Sequence, residues 1–158
     1  MSKIDENWLS LSKGIEIPSI GLSIPWLANV DDLFHIVPQK QFSFSAVGGW
    51  PILRFKFLGF SALWGFNFVS DSSERFTELQ FLNKSPHSPR RTYRRSRAAL
   101  HKALGTPNLV NYGLLGQQTW RRDGVCIINY VLSGNDISPG NTITVPSHFL
   151  SIRHDNGA

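Results

Sequence analysis

Apolar residues along this chain follow two different periods. From Leu53 to Phe68 the period is two: Leu53, Phe55 and Phe57 alternate with Arg54, Lys56 and Leu58, and the pattern resumes after Gly59 at Phe60, Ala62, Trp64, Phe66 and Phe68. Such alternation puts one aromatic-rich face on each of two adjacent strands, with Gly59 in the turn between them. A third strand is expected over Thr77 to Leu82, where Leu79 and Phe81 are set against Glu78 and Gln80, after a turn at Asp71, Ser72 and Ser73. Farther on, Gln117 to Arg121 and Val125 to Leu132 flank Arg122, Asp123 and Gly124, and an Asp-Gly pair between apolar runs predicts a tight hairpin. A last strand is expected from about Thr142 to Arg153, with a bulge or break at Pro146 and Ser147.

Between the two strand sets the period becomes helical. Ser88 suits an N-cap, Pro89 the first helical position, and Gly105 with Pro107 closes the other end. At about 100° per residue, Tyr93, Ser96, Leu100, Ala103 and Leu104 share one stripe. Arg90, Arg94, Arg97 and His101 fall about 60° to 120° from Leu100, and Arg91, Arg95 and Lys102 lie opposite it. The helix is expected to pack by a narrow apolar edge and to display a broad cationic back.

Gly14, Pro18, Gly21 and Pro25 cut the N-terminal stretch from Ile15 to Trp26 into short pieces, read as an extended arm or a short strand. Residues 1–14 are expected to be a flexible or peripheral arm, and 155–158 a frayed tail. Asn29 can cap a short helix over Val30 to Ile36, with Asp31 and Asp32 where carboxylates suit the helix dipole. The expected fold is therefore a single α+β domain over residues 1–158. It has a largely antiparallel sheet of five to six strands, one long helix on one face and a short N-terminal helix. Trp64, Phe66, Leu104 and Ile127 are the expected core.

Composition sharpens this picture at three points. A chain of 158 residues fits one domain that buries roughly 70% of its unfolded surface. Charged residues make up 17%, below the roughly 25% usual for soluble proteins, while there are eleven Phe and five Trp. Either the core side chains are unusually large or apolar surface is left for a partner. The lone Cys126 sits in an apolar run and is expected to be a buried structural thiol. No apolar stretch approaches a membrane span and no basic-then-apolar leader opens the sequence, so a cytoplasmic protein with no membrane partner is expected.

The charge is local. Lys84 to Lys102 holds seven of the sixteen Lys and Arg and no Asp or Glu, leaving nine bases against eleven acids elsewhere. The pI of 9.7 therefore belongs to one element. Such a concentration can meet an anionic partner, whether nucleic acid, a membrane surface or an acidic protein, or can be a solvated helix back. Arg90, Arg91, Arg94, Arg95 and Arg97 are the candidate partner-binding residues. Trp50, beside Gly49 and Pro51, and Trp120, next to Arg121 and Arg122 at a hairpin tip, are candidate anchors, since Trp and Arg are enriched where interfaces are strongest.

Catalytic and metal chemistry find little footing. His35, His87, His101, His148 and His154 have neither HxH nor HExxH spacing, although folding could bring His148 and His154 together. There is no GxSxG elbow, and Gly48, Gly49 and Gly59 match no phosphate loop. Asp31, Asp32, Asp71, Glu74, Glu78 and Asp123 fall mostly at expected caps and turns. A protein without enzymatic activity, cofactor or metal is expected.

The chain resembles the small α+β immunity proteins of bacterial polymorphic or secreted toxin systems. The resemblance rests on Gly21-Leu22-Ser23-Ile24-Pro25-Trp26, on Phe66-Asn67-Phe68 followed by Glu78-Leu79-Gln80-Phe81, and on Ala103-Leu104-Gly105-Thr106-Pro107 with Trp120-Arg121-Arg122-Asp123-Gly124-Val125. It implies an inhibitor that binds a cognate toxin and occludes its active site. Inhibitors of nucleases tend to be acidic, so a basic member implies a toxin with an acidic surface near its site. The alternative is a nucleic-acid-binding module built on the arginine helix.

Overall fold

The computed structural model describes residues 1–36, 43–44, 51–68, 75–81, 89–111, 116–132 and 147–155. Strands β1 (Gly14–Ile17) and β2 (Leu22–Pro25) form a small hairpin. Among the described residues the main sheet is antiparallel throughout and has eight strands: β3 (Ser43–Phe44), β4 (Pro51–Phe57), β5 (Phe60–Phe68), β6 (Phe76–Phe81), β7 (Leu109–Asn111), β8 (Gln117–Arg122), β9 (Val125–Leu132) and β10 (Ser147–His154). Their spatial order is β3-β4-β5-β6-β10-β9-β8-β7. The helices are α1 (Lys3–Lys13), α2 (Val30–Ile36) and α3 (Pro89–Leu104).

The mixed α+β class, the large antiparallel sheet and the long helix on one face are as the sequence predicts, but eight strands replace the expected five to six. The extra ones are β3 and β7, too short to show a period. The topology repeats itself: α2 precedes the meander β3 to β6, α3 precedes the meander β7 to β10, and the two last strands pair in the middle of the sheet, Leu79 opposite Ile152.

Pleating sorts the side chains. Phe55 on β4, Trp64 and Phe66 on β5, Leu79 on β6, Leu150 and Ile152 on β10, Ile127 on β9 and Trp120 on β8 are all buried in one core beneath the helices. Trp64, Phe66, Leu104 and Ile127 belong to it as expected, and Cys126 is a buried free thiol. At the β8–β9 turn both Asp123 (φ 51°) and Gly124 (φ 76°) are left-handed, which is the backbone a two-residue hairpin joining twisted strands requires.

The N-terminus is not a loose arm. Ser2 caps α1 through its hydroxyl, 3.2 Å from the Asp5 amide nitrogen, and Ile4, Trp8 and Leu11 recur at helical spacing toward α3. Asn29 caps α2 as expected, its Oδ1 accepting from the Asp32 amide at 2.7 Å.

Candidate interaction surface

The helix α3 is fixed from three sides. Its apolar edge, Tyr93, Ser96, Leu100 and Leu104, is buried. Its C-terminal carbonyls, which no helical N–H can reach, are met by side chains from elsewhere. Asn7 Nδ2 donates to Ala103 O at 2.7 Å, Trp8 Nε1 to Leu104 O at 3.2 Å and Trp120 Nε1 to Gly105 O at 2.9 Å. Gly105, at φ 83°, turns the chain out of the helix with its own N–H on His101 O. Ser88, the expected N-cap, lies outside the described residues.

Beneath α3 the core turns polar. Ser96, Asn129 and His148 are buried together, with Thr92 at the margin. His148 Nε2 lies 2.7 Å from the Asn129 amide and 3.2 Å from Ser96 Oγ, and His148 Nδ1 lies 3.1 Å from Thr92 Oγ1. With Oδ1 of Asn129 on the histidine side, its Nδ2 has no partner among the described residues. The opposite amide orientation gives every hydrogen an acceptor. Nδ2 then donates to Ser96 Oγ and His148 Nε2, Ser96 Oγ donates to Tyr93 O, and His148 Nδ1 donates to Thr92 Oγ1, which donates to Pro89 O. That network needs a neutral imidazole, and burial lowers the His148 pKa from 6.5 to about 4.

This anchoring turns the cationic back outward. Arg90, Arg91, Arg94, Arg95 and Arg97 are all exposed, as is Lys102. They form two rows, Arg90-Arg94-Arg97-His101 and Arg91-Arg95-Ala98-Lys102, each with the spacing i, i+4, i+7, i+11. Among the described residues, none of these arginines makes an ion pair, whereas the arginines of β8 and β10 do. Arg121 pairs with Asp155 at 3.2 Å, Arg153 with Asp155 at 3.1 Å, and Arg122 with Asp5 at 2.9 Å and Asp123 at 3.3 Å. Hydrogen bonds from Ser2 and then Arg122 hold the Asp5 carboxyl below its usual range. A shallow cleft of about 410 Å³ lies over Ala98, walled by Arg94, Arg97 and His101.

The other expected site residues fare differently. Trp120 is 1% exposed and caps α3, so its ring is core and cannot anchor a partner. Arg121 and Arg122 are at the hairpin tip but are already paired with the carboxylates of Asp155, Asp5 and Asp123. Trp50 lies outside the described residues, as do Asp71 and Glu74. His148 and His154 sit six residues apart on one strand, about 20 Å, and do not meet.

Among the described residues there is no group of three or more His, Cys, Asp or Glu placed to hold a metal, and no helix is long and apolar enough to cross a membrane. A second cleft, of about 260 Å³, lies between α1, β1 and the β4–β5 turn, with Glu16 and Lys56 on its exposed rim.

No family model and no curated protein matches the chain. Among solved structures the chain is similar to a DUF4309 family protein (YjgB) from Bacillus subtilis, with 10% identity, 96% of each chain covered and a TM-score of 0.48. A likeness of this degree assigns no function.

Proposed function

We propose that the chain is a non-enzymatic binding protein of the cytoplasm that neutralises a bacterial toxin, docking on an acidic surface beside the toxin's active site through the cationic back of α3. The observation that supports this reading is the set of five exposed arginines without carboxylate partners among the described residues. Arg90 and Arg94, and Arg91 and Arg95, stand at i, i+4 on one helix, where like charges cost roughly 0.2–0.5 kcal/mol per pair. Among the described residues no carboxylate offsets these charges, so ion pairing within the described fold does not account for them. A fixed cationic face speeds encounter with an acidic partner and sets its orientation.

The test begins with the triple variant Arg90→Glu, Arg94→Glu and Arg97→Glu. Affinity for the cognate toxin, sought first among the products of neighbouring genes and measured by calorimetry, should fall at least about 100-fold, with the melting temperature little changed. Unchanged affinity overturns the docking face. The same charges would also serve phosphates. Retention of DNA or RNA with a log K against log salt slope of roughly −4 to −6 would favour a nucleic-acid-binding module instead.

A further inference from the structure

We infer that the α3 face is built for one shape of acidic partner, a helix of a partner protein laid along α3 with carboxylates at i, i+4, i+7 and i+11; this rests on the acidic-partner reading above. The rungs of each row are unevenly spaced. At about 1.5 Å rise per residue they stand about 6, 4.5 and 6 Å apart and span about 16 Å, three helical turns. Carboxylates on a second helix at the same offsets repeat that uneven spacing. Side chains on one face of an extended strand recur evenly at about 6.7 Å and lose register after the second rung.

The second row supplies the other half of the fit. Where it would carry a cation it has Ala98, and the cleft over that residue is ringed by Arg94, Arg97 and His101. Two helices approach to 8–10 Å only where the side chains between them are small enough for ridges to enter grooves. Ala98 provides that entry at the middle of the ladder, while Arg91, Arg95 and Lys102 flank it and remain exposed. The first two carboxylates then meet guanidinium groups on both sides, from Arg90 with Arg91 and Arg94 with Arg95. The third meets Arg97 and the fourth Lys102, since His101 is half-buried with its Nε2 3.3 Å from Gln118 Oε1. The planar guanidinium forks favour paired hydrogen bonds to carboxylate oxygens.

Three fluorescent probes test this with the intact protein at low salt. The first is a helical peptide with Glu at i, i+4, i+7 and i+11. The second is a peptide of the same composition with its Glu at every second position, and the third a single-stranded oligonucleotide of about twelve nucleotides. Anisotropy should show the helical pattern binding at least about tenfold tighter than the alternating one. Ala98→Trp keeps every charge and fills the groove, and should cost the patterned peptide about tenfold while leaving the alternating peptide unaffected. Equal binding of the two peptides, or an unchanged affinity in Ala98→Trp, overturns the helical partner and leaves the acidic-partner reading standing. Binding of the oligonucleotide with neither peptide bound overturns both.

Discussion

Ser96 of α3 and His148 of β10 meet 3.2 Å apart inside the core, among the rings of Phe60, Phe81 and Tyr93, with Asn129 touching both. Phe81 lies against the same imidazole at a centroid distance of 4.8 Å. A polar contact here fixes which stripe of α3 faces the sheet, because any other rotation leaves buried hydrogen-bonding groups unpartnered. The phase of the arginine rows is thus set from below.

The first prediction is an acid-sensitive stability centred on His148. Its folded pKa, about 4, lies below the ordinary 6.5, so the neutral ring is the form the fold favours. The stabilisation is complete above about pH 6.5 and is lost as pH falls toward 4, amounting to about 3 kcal/mol. Asp5, whose pKa is lowered from 3.8, acts below this window. Urea midpoints measured between about pH 7.5 and 4 should fall steeply in the native protein, and His148→Gln should flatten that part of the profile. A native profile already flat over that range would show that the imidazole is not held neutral.

The second concerns the N-terminal helix as the closure of α3. Trp8→Phe keeps most of the apolar burial and removes the N–H on Leu104 O, which should cost about 1–2 kcal/mol. Deleting residues 1–13 also removes the buried Trp8 and Leu11 and should cost at least about 3 kcal/mol. Denaturant melts give both values. Hydrogen exchange at the Gly105 amide, bonded to His101 O, should quicken in the truncation before the sheet amides do.

These two elements mark what the sequence could and could not reveal. The strands around Gly59 and Gly124 were legible because strict alternation and turn residues coincide, and α3 because its closing residues and its stripe agree. Helix α1 was hidden by the punctuators after it. Its own signal was present in Ser2 with Asp5 as a cap and in Ile4, Trp8 and Leu11 at helical spacing. The exposure of the arginine back could be read from the wheel. The role of Trp120 could not, since a hairpin-tip position in sequence says nothing of the carbonyl on α3 that its ring meets. Likewise the Ser96–Asn129–His148 network joins residues 33 and 52 positions apart, and no local pattern predicts it.

A third prediction follows from the tight join of α1 to β1. Gly14 has φ 152°, and a Cβ there would fall 2.2 Å from Ile24 O and 2.7 Å from Pro25 Cα, both backbone atoms of the paired strand β2. The hairpin cannot yield without breaking its register, Gly14 opposite Pro25. Gly14→Ala should therefore destabilise by about 2–4 kcal/mol, read as a lowered urea midpoint. Gly21→Ala meets no atom within 4 Å and carries only the strain of its φ of 64°, so its cost should be about 1 kcal/mol.

The last prediction separates stability from binding on the α3 face. Arg91 and Arg95 repel each other and Arg94 along an exposed helix, with no carboxylate among the described residues to offset them. Replacing both with Gln should leave the fold unharmed or raise its stability by a few tenths of a kcal/mol. For the same reason, raising salt from about 0.05 to 0.5 M should stabilise the native protein slightly by screening the repulsion, and should do so less in the double variant. Partner affinity should move the opposite way, falling with salt and falling in the variant. If Arg91→Gln with Arg95→Gln instead lowers the melting temperature by several degrees, these side chains serve the fold, and the argument that their charge is kept for a partner fails.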